Sequence, residues 1–421
     1  MKEKIGFIGL GKLGLPCAAA ISVEAQVEVF GYDLNPKVSE YVASSKIPYI
    51  EALCENYLER AKIHVLDSVE DVVANSSIIF LAIQTPHDSR LEGTSPISNE
   101  ELSDFDYSYL EEAARSIKSS LLKMPNKEVL VVVISTVLPG TMRNRILPIL
   151  EEVIDRVSFC YNPFFIAMGQ TISDFLNPEF VLIGTDDLKA GMRLEKLYSQ
   201  IHSAPVRIMQ IESAELTKVA YNTFIGFKIV FANTMREITQ SRGGNVDEVT
   251  SALSMASSRL MSGKYMSAGM GDGGGCHPRD QIAMSWLANE ANLSSDVFGF
   301  LATARDNQSQ RQADELISLA KKHSLPIVIL GLAYKAGINL TVGSPSLLLL
   351  NQLEAKGINA KTYDPYIGGK SDFLETPSIF FIATNHEEFK EFVFPPNSVI
   401  VDPWGNIANT GLDQIVIRPG R

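Results

Sequence analysis

The residues best suited to chemistry in this 421-residue sequence stand in one glycine-rich stretch that ends in a cysteine. Four of the five residues from 271 to 275 are glycines, Cys276 follows them, and Arg279 and Asp280 come within one helical turn. Glycine has no Cβ, so such a loop lets the backbone approach a ligand closely. A nearby cation or a helix N-terminus favours the thiolate, the nucleophilic form of cysteine. The stretch therefore predicts a nucleophile, and the alternative is a flexible loop beside an inert, half-buried cysteine.

Two further candidate residues lie on a long predicted helix, Glu212–Ser241. This stretch contains no proline and a single glycine, Gly226. Its apolar residues recur at spacings of three and four, which is typical of a helix. Lys218 and Asn222 are four residues apart and therefore project from the same helix face. The spacing alone is equally compatible with a solvated surface.

The third candidate feature is a glycine turn near the N-terminus, Gly9–Gly14, with the pattern G-x-G-x-x-G. It follows a short apolar strand predicted over Lys4–Ile8 and precedes an alanine-rich helix predicted over Leu15–Val23. A second predicted strand, Val27–Tyr32, ends directly before Asp33. Strand, glycine turn, helix, strand and acid, in this order, form the dinucleotide-binding fingerprint.

Each residue type in the fingerprint has a physical reason. Gly9 allows the tight turn, Gly11 lets a pyrophosphate approach the backbone, and Gly14 lets the helix pack closely on the strand. Asp33, 19 residues beyond Gly14, would accept hydrogen bonds from the ribose hydroxyls and repel a 2′-phosphate. The pattern predicts NAD as the cofactor in preference to NADP, with a simple packing turn as the alternative.

Composition narrows the class of protein. The chain is 45% hydrophobic and 20% charged, which is ordinary globular composition, and its net charge of −12 argues against nucleic acid or an anionic membrane as partner. Its four cysteines lack metal-ligand spacing, so we expect reduced thiols in a cytoplasmic protein. The sequence enters its first strand directly, without the pattern of a signal peptide, and its apolar runs are too short to cross a bilayer.

Strands and helices alternate on both sides of the helical centre. Predicted strands over Ser76–Ile83 and Glu128–Ile134 lead to Thr85 and Thr136, at the strand ends where a doubly wound sheet places ligand contacts. Further predicted strands are Val157–Tyr161, Phe180–Gly184, Leu325–Gly331, Ala360–Asp364, Ser378–Ala383 and Ser398–Asp402. The predicted fold is α/β, with two Rossmann-like doubly wound domains (1–205 and 307–421) joined by a central helical domain (206–306) that contains one long helix.

These elements, in this order, resemble the UDP-glucose/GDP-mannose dehydrogenase family of nucleotide-sugar 6-dehydrogenases over essentially the whole chain. Beyond the fingerprint, the resemblance rests on Thr85-Pro86, Ser135-Thr136 with Pro139-Gly140-Thr141, Glu215-Leu216 with Lys218 and Asn222, Gly273-Gly274 with Cys276 and Asp280, Gly331–Lys335, Ser344-Pro345 and Tyr363-Asp364-Pro365. It implies NAD-dependent, four-electron oxidation of a hexose CH₂OH group to the carboxylate, on a UDP-sugar of the UDP-glucose type. It also implies a C-terminal domain that binds the sugar nucleotide and a homodimer formed through the long helix.

The same resemblance implies roles for individual residues. Cys276 would add to the aldehyde intermediate, and Lys218 and Asn222 would stabilise the resulting oxyanion. Asp280, acting through a water, and Lys218 match the base for the alcohol proton, and Thr136 would hold a water or the nicotinamide end. The positions that match cofactor contacts are Gly9, Gly11, Lys12, Leu13, Gly14, Asp33, Thr85, Thr136 and Arg279. The positions that match substrate contacts are Phe164, Phe165, Lys218, Asn222, Arg259, Tyr265, Gly273 and Lys335.

The sequence departs from the family pattern in the loop that follows the predicted strand Val157–Tyr161. The family commonly reads Asn/Ser-Pro-Glu-Phe there, with a second glutamate four residues after the first, whereas this chain has Phe164 and Met168 at those positions. The first acid is usually assigned to water activation or thioester hydrolysis. Val342 and Phe180 stand where arginines are expected, and Arg279 replaces a lysine. The identity of the sugar and the full four-electron course stay open.

Two other classes of function remain as alternatives. A two-electron dehydrogenase of the β-hydroxyacid type shares the N-terminal domain and a lysine–asparagine pair on a long helix, but it needs neither a reactive cysteine nor residues 310–421. A non-catalytic sugar-nucleotide binding protein would explain the missing glutamates. Such a protein would not need Lys218, Asn222, Cys276 and Asp280 together.

Overall fold

The structure is a computed structural model that describes residues 3–86, 103–167, 169–262, 268–271, 273–274, 277–368, 375–408, 411 and 413–419. Met168, Tyr265 and Cys276 lie outside the described residues, and so do the side chains of Arg279 and Asp280. The chain divides into two compact units, Met1–Gly226 and Phe227–Arg421.

An eight-stranded sheet forms the centre of the first unit. Its strands are β1 (Ile5–Ile8), β2 (Val29–Tyr32), β3 (Ile63–Val65), β4 (Ile78–Leu81), β5 (Val129–Val133), β6 (Val157–Tyr161), β7 (Val181–Gly184) and β8 (Val206–Met209). Their spatial order is β3-β2-β1-β4-β5-β6-β7-β8, and neighbouring strands are parallel except β6 and β7. The first six strands therefore have the order of a doubly wound nucleotide-binding sheet.

Helices cover both faces of this sheet, which is why its central strands β1, β4 and β5 are continuous apolar runs, buried along their whole length. The helices are α1 (Gly14–Glu24), α2 (Val38–Ser44), α3 (Cys54–Arg60), α4 (Val69–Asn75), α5 (Ser108–Lys123), α6 (Leu147–Leu150), α7 (Thr171–Leu176) and α8 (Leu188–Tyr198). Helices α1, α3, α7 and α8 contribute to the core on one face, and α4, α5 and α6 to the core on the other.

Long helices dominate the middle of the chain. They are α9 (Ile211–Arg242), α10 (Val246–Ser254), α11 (His277–Glu290) and α12 (Val297–His323). The prediction of a long helix over Glu212–Ser241 is confirmed to within one residue at each end. Met235, Ala288 and Phe298 form a small core between α9, α11 and α12. Helix α12 runs without interruption through residue 307, where the sequence placed a domain boundary, and the three domain ranges stay predictions.

A second, smaller sheet lies near the C-terminus. Its strands are β9 (Ile327–Leu330), β10 (Lys361–Tyr363), β11 (Ile379–Ile382), β12 (Val399–Val401) and β13 (Ile415–Ile417), all parallel, in the order β10-β9-β11-β12-β13. Helix α12 and helix α13 (Pro345–Ala355) pack on one face of it. Phe389, Phe394 and Ile407 belong to the core on the other face.

The predicted fold class, with two Rossmann-like sheets and a helical centre, is confirmed. Strands β3, β8 and β13 were missed because they are edge strands of three or four residues, none of which is fully buried. Such strands lack the continuous apolar run that identifies a central strand. No helix in the described ranges is both long enough and apolar enough to span a lipid bilayer.

Candidate active site

Most predicted site residues of the first unit lie on loops that leave the carboxyl ends of strands β1, β2, β4, β5 and β6; Lys218 and Asn222 lie on helix α9, and Gly14 begins helix α1. These strands are adjacent in the sheet and parallel, so their carboxyl ends share one edge. Backbone hydrogen bonds join neighbouring loops along this edge: Gly9 donates to the Tyr32 carbonyl at 2.9 Å, and Ala82 donates to the Ile8 carbonyl at 2.9 Å. The fold therefore brings together residues that are more than 150 positions apart in sequence, such as Gly9 and Phe164.

The three glycines of the N-terminal turn differ in what surrounds them. Gly9 has φ +92°, and a Cβ there would lie 2.4 Å from the Ala82 carbonyl oxygen. A Cβ on Gly14 would lie 2.1 Å from the Gly9 carbonyl oxygen, so helix and turn touch at this point. Gly11 has no other atom within 4 Å of the place where its Cβ would be. The first two glycines are required by the protein itself, whereas the space beside Gly11 is open to a ligand.

Asp33, directly after β2, closes the turn. Its Oδ2 accepts the amide hydrogen of Leu10 at 2.7 Å, and its Oδ1 accepts that of Asn35 at 2.8 Å. The side chain is half-exposed, so lone pairs on both oxygens remain for ribose hydroxyls. Lys12 is exposed and Leu13 is half-buried at the start of α1. With Gly11 open and Asp33 accessible, the turn fits the adenosine diphosphate part of NAD.

The loops after β4 and β5 are tied to each other. The Thr85 hydroxyl donates to the Thr136 carbonyl at 2.7 Å, and the Ser135 hydroxyl donates to the Ile83 carbonyl at 2.5 Å. Both threonines are half-buried. The two loops therefore form one connected rim beside the glycine turn.

Glu215 anchors helix α9 to this rim. The sequence indicated this residue only as part of the family resemblance. Glu215 is completely buried, and its carboxylate accepts the amide hydrogens of Gly140 at 2.6 Å and Met142 at 2.8 Å. The pKa of Glu215 is raised, chiefly because burial disfavours the charged carboxylate, while the two amides act in the opposite direction. Because Glu215 precedes Lys218 by one helical turn, its contacts determine where Lys218 enters the site. The signal in the sequence is an acid on the apolar side of a helix near its start.

Lys218 is buried, with 7% of its surface exposed. Its ammonium group donates to the Phe164 carbonyl at 2.7 Å and lies 4.8 Å from the centre of the Phe165 ring. In the described part of the chain no carboxylate is paired with it, and burial lowers its pKa. A desolvated amine whose pKa is lowered can exchange a proton nearer to neutral pH than an exposed lysine can.

The two phenylalanines beside Lys218 point to different parts of the protein. The Phe164 ring packs edge-on against Phe175, 5.3 Å away, and belongs to the core around α1 and α7. The Phe165 ring contacts Phe180 at 4.8 Å and Tyr221 at 4.6 Å between ring centres. Position 164, where the family has an acid, thus provides only its backbone carbonyl to Lys218. Asn222 is exposed on α9.

The candidate residues of the second unit are fewer. Lys335 is exposed on the loop after β9, and Arg259 is exposed in the turn after α10. Gly273 is half-buried, and Arg279 and Asp280 lie in the first turn of α11. The roles assigned to all of them stay predictions.

Three family models match consecutive parts of the chain. The NAD binding domain of the UDP-glucose/GDP-mannose dehydrogenase family matches residues 3–202, its central domain matches 212–307, and its UDP binding domain matches 328–409. The chain belongs to the UDP-glucose/GDP-mannose dehydrogenase family. It is therefore an NAD-dependent oxidoreductase of the nucleotide-sugar dehydrogenase class, and the family and cofactor predictions are confirmed.

Curated members of this family are similar to the chain along most of its length. A GDP-mannose 6-dehydrogenase of Azotobacter vinelandii is 30% identical over 370 residues, covering 86% of this chain and 81% of its own. A GDP-mannose 6-dehydrogenase of Pseudomonas aeruginosa is 27% identical over 388 residues, with 89% and 85% covered. A UDP-glucose 6-dehydrogenase of Rickettsia conorii is 25% identical over 414 residues, with 92% and 90% covered.

Solved structures of family members have the same fold. A ternary complex of GDP-mannose dehydrogenase from Pseudomonas aeruginosa superposes with a TM-score of 0.84 at 25% identity, with 99% of both chains covered. A UDP-glucose dehydrogenase from Pyrobaculum islandicum gives a TM-score of 0.55 at 24% identity, over 99% of this chain and 97% of its own. These likenesses agree on the fold and include relatives that act on different sugar nucleotides.

Proposed function

We propose that this family member oxidises the C6 hydroxymethyl group of a nucleotide-activated hexose to a carboxylate, with NAD accepting the hydrides. The observation that carries the proposal is the buried ammonium group of Lys218, which no carboxylate of the described residues pairs with, held at the sheet edge that also carries the open turn at Gly11. A folded protein tolerates such a desolvated cation where a reaction needs it.

In the first oxidation, the alcohol loses a proton from oxygen and a hydride from carbon and becomes an aldehyde. The neutral form of Lys218 is suited to accept the proton, because burial lowers its pKa. The Phe164 carbonyl fixes the position of the amine, and Asp280, acting through a water, is the second proton acceptor proposed from the sequence.

In the second oxidation, the Cys276 thiolate adds to the aldehyde carbon and forms a thiohemiacetal. Lys218 in its charged form and Asn222 stabilise the oxyanion. Loss of a second hydride leaves a thioester, and water then releases the carboxylate and the thiol. Two NAD molecules are reduced per sugar in this course.

The second part of the proposal is the identity of the sugar nucleotide. The sequence resemblance predicts a UDP-sugar of the UDP-glucose type, and the match to the UDP binding domain model supports it. The relatives from Azotobacter and Pseudomonas support a GDP-hexose as the alternative. Both substrates have the same reacting carbon, so the chemistry at Lys218 does not depend on the base.

The homodimer is proposed on separate grounds. Helix α9 exposes large apolar side chains that a partner would cover, among them Leu216, Phe224 and Val230 with 55%, 47% and 48% of their surface exposed. Multi-angle light scattering tests it, and a monomeric mass at micromolar concentration would contradict it.

One specific observation favours a second candidate function, an enzyme that stops at the aldehyde. Phe164 replaces the acid that the family uses for thioester hydrolysis, and its ring packs into the core, away from Lys218. An enzyme without a group to activate water would release the aldehyde or hydrolyse the thioester slowly.

The ratio of NADH formed to sugar consumed separates these possibilities. Purified protein is incubated with NAD and a panel of UDP- and GDP-hexoses, and NADH is followed by absorbance. A ratio of two supports the full oxidation, and a ratio of one supports the aldehyde-forming enzyme. Tight sugar-nucleotide binding without NADH would support a non-catalytic binding protein and refute the proposal.

The Cys276→Ser variant provides the control for the second oxidation. We expect it to form aldehyde but no carboxylate, with NAD affinity nearly unchanged, because the cysteine acts only on the aldehyde. Complete loss of NAD binding in this variant would contradict the role proposed for the loop.

A further inference from the structure

The segment that leads to Cys276 lies against the C-terminal sheet of the same unit. At its start, Gly269 faces the ring of Trp404, and a Cβ on Gly269 would lie 2.4 Å from two carbon atoms of that ring. Trp404 is itself held by a hydrogen bond from its indole nitrogen to the Ile382 carbonyl at 2.9 Å. Met270 packs on the core between α12, α13 and the sheet. Gly269 and Met270, which precede the cysteine loop, thus pack against the C-terminal sheet.

The next two described glycines touch the turn at the start of α13. A Cβ on Gly273 would lie 2.7 Å from Cδ of Pro345, and one on Gly274 would lie 3.0 Å from the ring of Tyr334. The Gly274 amide donates to the Gly343 carbonyl at 3.2 Å. A Cβ on Gly343 would lie 2.2 Å from the Gly274 carbonyl oxygen. The sequence suggested that these glycines admit a ligand, whereas the structure fills the space beside Gly273 and Gly274 with protein atoms.

The partner of these glycines is the loop 331–345, and it is braced from within the sheet. Buried Asp364 accepts the amide hydrogens of Leu332 at 2.7 Å and Ala333 at 3.0 Å. Buried His386 accepts the amide hydrogen of Gly337 at 3.2 Å. The loop is therefore a fixed support for the segment at 273–274, and it also carries Lys335.

We propose that the loop 331–345 positions the cysteine segment, and that Gly343 is the residue on which this positioning depends. Gly274 stands two residues before Cys276 and three before the start of α11, so a displacement at Gly274 moves the thiol. The same loop carries Lys335 at the proposed nucleotide, so substrate binding and thiol placement share one support. The link to catalysis rests on the proposed function, whereas the placement of the thiol does not.

The Gly343→Ala variant tests this positioning. Its methyl group would meet backbone atoms of Gly274, which yield only if the segment moves. Misplacement of a reacting group by about 1 Å costs on the order of a hundredfold in rate, so we expect kcat for NADH formation to fall by about that factor. The Michaelis constant for NAD should stay within about twofold, because Gly343 belongs to the second unit, whereas the NAD-binding turn at Gly9–Gly14 belongs to the first.

Alkylation of Cys276 by iodoacetamide gives a readout that needs no substrate. Cys17, Cys54 and Cys160 are buried, and Cys276→Ser protein provides the blank. Iodoacetamide reacts with the thiolate, and each unit by which the pKa of a thiol rises lowers its thiolate fraction at neutral pH about tenfold. We expect alkylation of Gly343→Ala protein at neutral pH to be slower by about that factor.

The matched control is Gly357→Ala. Gly357 has φ +76°, close to the +67° of Gly343, but no atom lies within 4 Å of the place where its Cβ would be. It therefore carries the same backbone strain without the contact. Rates of turnover and alkylation in Gly343→Ala that equal those of Gly357→Ala would overturn the proposal.

Tyr334→Ala keeps the proposal testable if Gly343→Ala does not fold. It removes the ring that covers Gly274 and introduces no strain. Slower turnover and slower alkylation in this variant support the proposal, and wild-type values for both refute it. If wild-type protein forms no NADH with any sugar nucleotide, the proposed function fails, and the alkylation rates still decide the positioning role.

Discussion

The two sheets of this protein begin with the same local arrangement and use it differently. In each, the first strand ends in a glycine with nearly the same backbone angle, φ +92° at Gly9 and +94° at Gly331. In each, an acid after the neighbouring strand, Asp33 or Asp364, accepts an amide hydrogen from that turn at 2.7 Å. The geometry that closes a dinucleotide turn is therefore present twice.

The two acids differ in what remains available on them. Asp33 is half-exposed and accepts two amide hydrogens, so it has lone pairs left for a ligand. Asp364 is completely buried and accepts four, from Leu332, Ala333, Tyr366 and Ile367. It also pairs at 3.1 Å with Nε2 of His386, whose Nδ1 accepts a hydrogen bond, so Nε2 carries the proton.

The turns differ as well. Helix α1 begins at Gly14, directly after the first turn, whereas helix α13 begins at Pro345, 14 residues after Gly331. A short turn brings a helix N-terminus to a bound pyrophosphate, and a long loop does not. The comparison shows that sheet topology alone does not make a dinucleotide site. A dinucleotide site also needs a turn with an open side and an acid whose lone pairs are left for the ligand.

The largest effect that follows from this comparison is on stability. Asp364→Ala leaves four amides and buried His386 without their acceptor, so we expect the C-terminal sheet to lose about 4 kcal/mol of unfolding free energy. Denaturant titration followed by Trp404 fluorescence in a Trp286→Phe background measures it. Asp33→Ala is the control, with an expected change below about 1 kcal/mol. Equal midpoints for the two variants would remove the distinction between the acids.

Substitutions of the turn glycines should also differ in their effects on stability and on NAD affinity. A Cβ on Gly331 would lie 2.4 Å from Cβ of Thr384 at a positive φ, so Gly331→Ala should destabilise the sheet by about 3 kcal/mol and leave NAD affinity unchanged. Gly11→Ala should do the opposite, because the space beside Gly11 is open in the protein and we expect NAD to occupy it. Thermal unfolding and NAD titration of both variants decide it, and weaker NAD binding in Gly331→Ala would contradict the assignment.

The Asp33→Ala variant tests whether the first of the two acids binds NAD. Losing a charged acceptor for ribose hydroxyls should weaken NAD binding by about 2 kcal/mol, or roughly thirtyfold in Kd. The preference for NAD over NADP should shrink, because the repulsion of a 2′-phosphate is lost as well. Calorimetric titration with both dinucleotides measures this. An unchanged NAD/NADP ratio would show that Asp33 does not select the cofactor.

The smallest expected effect is the pH dependence of stability that the buried Lys218 causes. Burial lowers the pKa of Lys218, so between that lowered value and the unfolded value near 10.4 the unfolded chain binds more protons than the native one. Stability of wild-type protein relative to Lys218→Met should therefore rise with pH in this window, by about 1 kcal/mol per pH unit at most. Parallel denaturant titrations from pH 8 to 10 test it, and a pH-independent difference would contradict a desolvated lysine.

Several features were predicted from the sequence because their signals are local. The buried central strands, the turn at Gly9–Gly14 and the helix over Glu212–Ser241 each follow from periodicity or from glycine spacing within a few residues. The edge strands were missed because half-exposed segments of three or four residues carry no such signal. The partner of Lys218 was missed for another reason: it is the carbonyl of Phe164, and every residue has a carbonyl.

The sequence by itself determined the buried central strands, the long helix, the dinucleotide turn and the family, since these depend on patterns within short stretches. Only the tertiary structure decided that Gly11 faces open space while Gly273 and Gly274 face protein. It alone decided that Asp33 keeps spare lone pairs while Asp364 has none. The physical reason is the same in every case: burial and hydrogen-bond saturation are set by atoms contributed from distant parts of the chain.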